Sequence, residues 1–375
     1  MRELLYLINI FQNKILYCNI LIMRKKLFYT IMILSFLCLT KCSWVSKTKQ
    51  VSNKYTLLTG WRMQNVTTIH FDSLIMNDPY ILADHTTQMY YMTGSGGTLW
   101  KSPDLQLWTG PYSYIKIDTA SWMGANPMMW APELHKYKNK YYCFVTFTNT
   151  EKIIDTIPER YNVQRRSTHI LISDNAEGPY YPMQDNIYLP EKWSTLDGTL
   201  WEENDVPYMV FSHEWMQVTD GIMKYIQLTP DLSGSVGESF SMFKSSDAPW
   251  TREMRSIGEL TFGMPLDGYV TDGPFLFRTG TGRLGMLWSS WSDKRYAQGV
   301  AYSETGTLEG PWIQTDSSLI SDNSGHGMLF YTFEGKLLML LHYQGLEENP
   351  GPRKPILFEV DISGDEIKIV GKYRP

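Results

Sequence analysis

The stretch LDGTLWEENDVPYMVFS, residues 196–212, decides the fold. Asp197 sits in a small turn, an apolar strand follows, Glu203-Asn204-Asp205 supplies a tight turn, and a second, aromatic-rich strand returns. The same phrase recurs on both sides of it. It reads NDPYILADHTTQMYYMT from Asn77, APELHKYKNKYYCFVTF from Ala131, TDGPFLFRTGTGRLGMLWSS from Thr271 and GHGMLFYTFEGKLLMLLHY from Gly325. From Asp78 to Glu133, Asp197, Asp272 and His326 the successive steps are 55, 64, 75 and 54 residues. Each step is the length of a four-stranded blade. Five copies predict an all-β chain folded as a five-bladed β-propeller, with the polar residue that opens each blade turned toward the central axis.

Working outward, short strand signals recur between turns, and helical periodicity is hard to find. Turns at Lys138-Asn139-Lys140, Gly280-Thr281-Gly282 and Glu334-Gly335-Lys336 split the first strand of a blade from the second, as Glu203-Asn204-Asp205 does. An outer signature, a Ser-Asp or Ser-Glu strand end followed by Gly-Pro and an aromatic, appears as SDNAEGPYY (173–181) and SETGTLEGPW (303–312). A worn copy, SPDLQLWTGPY (102–112), belongs to the first blade. No sixth copy exists. Ring closure is therefore expected to join the strand LFEVDI (357–362), or its neighbour, to the segment near Tyr55–Met63.

The N-terminus reads as a leader. Met23-Arg24-Lys25-Lys26 precedes the apolar run from Leu27 to Leu39, then Thr40-Lys41-Cys42-Ser43. A basic start, an h-region too short for a mature membrane span and a cysteine make residues 23–42 a lipoprotein-like secretory signal. Residues 1–22 read as a mis-assigned upstream extension, 43–54 as a short tether and 55–375 as the propeller domain. Cys42 is the candidate lipid anchor, although Lys41 stands where a small residue is usual. Beyond it only Cys143 remains, so the body has no intramolecular disulfide. A net charge of −5 argues against a nucleic-acid partner and leaves an uncharged substrate open. Aromatic residues at 14% suit both sheet packing and a cleft that stacks on sugar faces.

Asp78-Pro79, Asp197 in Leu-Asp-Gly-Thr-Leu, and Asp272 in Thr-Asp-Gly-Pro resemble the blade-opening acids of glycoside hydrolase family 43. The phrases Trp130-Ala131-Pro132-Glu133 and Gly-His-Gly-Met-Leu-Phe around His326 belong to the same pattern, which spans Asn77 to Tyr343. The resemblance implies a five-bladed propeller and glycoside hydrolysis with inversion. It matches Asp78 to the general base, Asp197 to the residue that tunes the acid's pKa, and Asp272 to the general acid. That last place usually carries glutamate, so Glu214 in Ser-His-Glu-Trp stands in reserve. It also implies that His326 helps hold an axial calcium or sodium ion, structural rather than catalytic, with no cofactor required for the chemistry.

The physical logic stands beside the resemblance. Cleaving a glycoside with inversion needs a protonated carboxyl at the leaving oxygen and an ionised carboxylate that activates water on the opposite face. Acids from different blades can face each other across an axial funnel, and a third carboxylate nearby keeps the acid protonated. Taken singly, an Asp-Pro or Asp-Gly pair is ordinarily a turn former, and a tryptophan in a β-protein is ordinarily packing. Glu133, Trp130, His213, Glu214, Trp215 and Trp291 are the candidate substrate contacts, with Trp122 near the same mouth. Arg165-Arg166 reads as a solvated loop, and the segment 239–269 as an insertion that could wall the cleft. The expected function is an exported glycosidase acting on polysaccharide side chains, with α-L-arabinofuranosidase the first substrate reading. β-Xylosidase, endo-arabinanase and exo-β-galactanase are alternatives within the family, and a non-catalytic carbohydrate-binding propeller is the alternative outside it. The membrane enters only through Cys42.

Overall fold

In the strand Lys140–Ile157, Tyr141, Cys143, Val145 and Phe147 fall on one face and Tyr142 and Phe144 on the other, because side chains alternate along a strand. In the computed structural model the first set is buried against the preceding blade and the second against the following one. Both faces of a blade are packed, so a blade's inner strands read as nearly continuous apolar runs. The structure describes residues 54–60, 64–255, 258–259, 266–293, 295–345 and 351–375. The expected leader, Cys42 and all of the tether except Lys54 lie outside the described residues.

The fold is a five-bladed β-propeller, and each blade is an antiparallel meander. The innermost strands, in blade order, are Tyr80–Asp84, Met128–Tyr137, Thr195–Glu203, Asp272–Arg278 and Ser324–Tyr331. These five touch one another in a closed ring. The second strands are Met89–Gly94, Lys140–Ile157, Val206–His213, Leu284–Ser292 and Leu337–Tyr343. Five apolar cores lie between the blades, one for each neighbouring pair. Cys143 is fully buried in the first of them. The three Gly-Pro bonds of the outer signature are cis.

Closure differs from the sequence expectation. Blade 5 takes all four of its strands from the C-terminal end, Ser324–Tyr331 through Lys368–Tyr373, and Leu357 lies in its third strand. The N-terminal strand Thr67–His70 instead adds a fifth, outermost strand to blade 1, pairing with Leu107–Tyr112. Among the described residues no strand is exchanged between the first and last blades, and of the expected segment Thr56–Leu57 pairs with Lys116–Ile117 while residues 61–63 lie outside the described residues. The two blades are joined by a core of Leu74, Met76, Ile81 and Met92 against Met328, Phe330, Leu338 and Leu340. A short outer strand has no apolar alternation to reveal which neighbour it will choose, so the sequence could not place this joint.

The blade openings share one backbone device. Asp78, Ala131, Asp197, Gly273 and His326 all lie in the left-handed region, with φ between 39° and 58°. In blades 2 to 5 a register shift marks the same place. The equivalent positions are thus 78, 131, 197, 273 and 326. Glu133 stands two residues after its bulge and Asp272 one residue before. A bulge, or in blade 1 the turn before the strand, leaves a backbone N–H off the sheet ladder, and here a side chain of the preceding blade accepts it each time. Ser95 Oγ accepts from Ala131 (2.9 Å), Thr146 Oγ1 from Asp197 (2.8 Å), Asp197 Oδ2 from Gly273 (3.2 Å), Ser289 Oγ from His326 (2.7 Å) and His342 Nδ1 from Asp78 (3.1 Å). The circuit crosses the closing joint from blade 5 to blade 1 without a gap.

Blade 2 departs from the regular plan. Its second and third strands run 18 and 13 residues, and the hairpin bends at bulges flanking Gln164. Its tip reaches across blade 3: the Tyr161 hydroxyl donates to the Met216 carbonyl (3.1 Å), and Arg160 pairs with Asp267. Asp267 also receives Arg255 Nε at 2.6 Å.

Candidate active site

The opening bulges turn their side chains into a cleft of about 310 Å³ at one end of the axis. Asp78 from blade 1, Asp197 from blade 3 and Asp272 from blade 4 line it together, with His326 from blade 5. Trp130, Trp215, Trp291 and Glu214 also line it. Two of the candidate contacts sit elsewhere. Glu133 is buried along the axis, where its Oε2 bonds His135 Nε2 at 2.9 Å beside a separate cavity of about 10 Å³. His213 ends its strand behind the Trp215–Val218 helical turn, stacked on Trp193 at 4.5 Å and bonded to Gln217 Oε1 at 3.0 Å. Trp122 packs against the first inter-blade core.

The three aspartates have unlike surroundings. Burial opposes the charge of Asp78, but His326, helped by Arg353, outweighs it. Its carboxyl is held below the usual carboxylate range. His326 Nδ1 lies 3.4 Å and His342 Nδ1 3.2 Å from Asp78 Oδ1, and Ser95 Oγ donates to Oδ2. Burial pushes His342 down to about 4, so near neutral pH it is an uncharged acceptor for the Asp78 N–H.

Asp197 is pushed up to about 8, by burial first and then by the charge of Asp78. The Gly273 N–H, donating to its Oδ2, offsets only part of this. Asp272 is pushed well above the usual range by burial and by Asp197, against the partial opposition of His326 and of the Tyr296 hydroxyl, which donates to Oδ2 at 2.9 Å. Two neighbouring buried carboxyl groups cannot both ionise cheaply, so the pair keeps a proton near neutral pH. One cleft therefore presents an ionised carboxylate and a protonated carboxyl pair, the two halves of general acid–base chemistry.

Sequence reading missed three lining residues. Arg166 is no solvated loop residue. It lies on the third strand of blade 2, its Nε donates to Thr148 Oγ1 at 2.7 Å, and its guanidinium stands 5.7 Å from the Trp130 ring. It also pairs with Glu214, which accepts from Ser194 Oγ as well. A signal existed, since residues 161–173 continue the hairpin that the preceding strand begins. Tyr296 and Arg353 carry no motif; the third strand of blade 4 brings Tyr296 to the cleft, and Arg353 reaches it from the residue before the third strand of blade 5. The segment 239–269 begins inside the outer strand of blade 3, Ser235–Lys244, and its Trp250 packs on Trp288 at 4.8 Å. Met254 does reach the cleft.

The donor set around His326 is a poor match to a cation held by side chains. Among the described residues no three His, Cys, Asp or Glu side chains converge as a metal shell, whereas calcium takes six to eight oxygens. An ion beside His326 would rest on one imidazole and on water.

The sequence profile of glycosyl hydrolases family 43 matches residues 73–367. No curated protein sequence matches the chain. Among solved structures, the endo-arabinase from Bacteroides thetaiotaomicron is 33% identical, with a TM-score of 0.67 over 78% of this chain and 97% of that one. An endo-1,4-beta-xylanase from the same organism superposes with a TM-score of 0.60 at 22% identity, covering 82% of this chain and 97% of its own. The alpha-L-arabinofuranosidase from Lactobacillus brevis gives 0.58 at 16% identity, covering 82% and 99%. The last two likenesses speak to the fold alone. The profile match over most of the propeller, with the endo-arabinase likeness, places this chain in glycosyl hydrolases family 43, as a glycoside hydrolase.

Proposed function

We propose that the protein is an exported, inverting glycosidase that cleaves α-L-arabinofuranosyl linkages of plant or related polysaccharides. One observation carries the mechanism: the ionised Asp78 and the proton-holding Asp197–Asp272 pair share one cleft. Asp78 takes a proton from the attacking water. Asp272 gives its proton to the departing glycosidic oxygen as the C–O bond breaks, and Asp197 keeps that proton available. Asp272 is preferred to Glu214 because both Glu214 oxygens are already engaged, by Arg166 and by Ser194. Trp130, Trp215 and Trp291 offer faces to the sugar. An axial calcium or sodium ion at His326 belongs to the proposal only as a structural element.

Terminal release of arabinose is the first reading. Internal cleavage of arabinan is the second, favoured by the 33% identity to an endo-arabinase. The purified protein is to be assayed on aryl glycosides of arabinose, xylose and galactose and on arabinan, with Asp78→Asn beside it. Arabinose or arabino-oligosaccharides from the wild type, with a loss of about 1000-fold or more in the variant, are the expected result. Activity confined to xylosides or galactosides would reject arabinose, and an active Asp78→Asn would reject the base. Export through residues 23–42 and anchoring at Cys42 complete the proposal. Cell fractionation checks them: full-length protein should pellet with membranes and Cys42→Ala should not. Among the described residues no helix is long and apolar enough to cross a membrane.

A further inference from the structure

The base and the acid are each tied to an aromatic ring, and the two rings are stacked. Asp78 donates its backbone N–H to His342 Nδ1 at 3.1 Å. Asp272 Oδ2 receives the Tyr296 hydroxyl at 2.9 Å. The Tyr296 and His342 rings lie 5.3 Å apart with 12° between their planes. Both residues are buried, at 4% and 1% exposure, so the stack has little room to slide. Trp291 packs edge-on against Tyr296 at 5.6 Å, and the Arg353 guanidinium stands 5.6 Å from the same ring. Tyr296 belongs to blade 4 and His342 to blade 5, so the stack bridges blades and ends at the Asp78 turn of blade 1.

We infer that Tyr296 and His342 are positioning residues whose stacked rings form a rigid spacer fixing the distance between the base Asp78 and the acid Asp272. The inference rests on the proposed roles of those two carboxyl groups. It also accounts for an aspartate where the family usually has glutamate. A shorter acid has less freedom to find the leaving oxygen, and the Tyr296 hydroxyl holds it in place. Inversion depends on a carboxyl separation that admits one water, and misplacement by an ångström costs rate rather than affinity.

The test exploits the acid's dependence on its leaving group. A sugar leaving group needs the proton from Asp272, while a nitrophenolate departs almost without it. Tyr296→Phe keeps the ring and its stack and removes only the hydroxyl. Its kcat should fall about 100-fold on an oligosaccharide and less than about 3-fold on the nitrophenyl glycoside of the same sugar, with KM little changed. His342→Phe keeps the stack and removes the acceptor that holds the base turn. Its loss should be the same on both substrates. Asp272→Asn serves as the control, and the melting temperature of each variant is read beside its rate. A Tyr296→Phe loss equal on both substrates, or none, overturns the spacer. So does a His342→Phe enzyme with wild-type rate. If Asp272→Asn itself is blind to the leaving group, the acid assignment falls and the Tyr296 arm with it.

Discussion

Asp197 shows what a buried carboxyl cluster costs its own fold. Its carboxyl is pushed up to about 8 by burial and by Asp78, whereas in the unfolded chain it titrates near the ordinary value of about 3.9. Between those two pH values the native state binds more protons than the unfolded one, so this group's contribution to stability falls as pH rises through the window. Asparagine binds no proton and can still accept from the Gly273 N–H. Asp197→Asn should therefore melt higher than the wild type at pH 8.5, by about 3–5 °C, and the gap should close toward pH 5. Calorimetry across that range checks it, and equal melting temperatures throughout would refute the burial argument. At this scale the sequence was partly legible. Three blade-opening aspartates announced themselves because a repeat fixes which turn faces the axis. Tyr296 and Arg353 did not, because one sits on a third strand and the other just before one, where the repeat carries no fixed polar position.

The long hairpin of blade 2 is the element that individualises this propeller. Its tip residue Tyr161 packs against the cluster that holds Met254, Leu266 and Trp291, as Trp215 does, and the hairpin's polar ties run from Tyr161 to Met216 and from Arg160 to Asp267. It thus buttresses the wall that carries two cleft tryptophans and Met254. Removing one buttress should loosen substrate binding and leave the carboxyl groups in place. Tyr161→Ala is expected to raise KM for an oligosaccharide about 5- to 10-fold with kcat within about 3-fold. A kcat loss at constant KM would show instead that the hairpin acts on the chemistry. The strands of this hairpin were readable, and their reach was not. Alternation identifies a strand, but where it bends depends on bulges, here around Gln164, that no single residue type announces. Arg166 was misread for the same reason: a polar stretch that extends a strand looks like a loop until the partner strand is known.

The blade count, the order of blades and the alternation of apolar faces were all legible, because repetition supplies five readings of one pattern. The closing joint was not, since a joint made by packing leaves no pairing signal in either segment. That joint has a consequence for the way the molecule comes apart. A linear stack of repeats frays from its ends, where a terminal unit gives up a single interface. This ring has no terminal unit. Freeing any blade requires two cores to part, and each parting strips a bulge N–H near the axis of its acceptor, worth about 1–3 kcal/mol when it is left unpaired. Calorimetry is thus expected to show one cooperative transition, and two resolved transitions would contradict it. The same bonds that refuse partial unfolding are those that set the turns lining the cleft. The protein resembles an arch in which every block is a keystone: it has no spare part to loosen first, and a weakness anywhere in the circle is felt at the carboxyl groups.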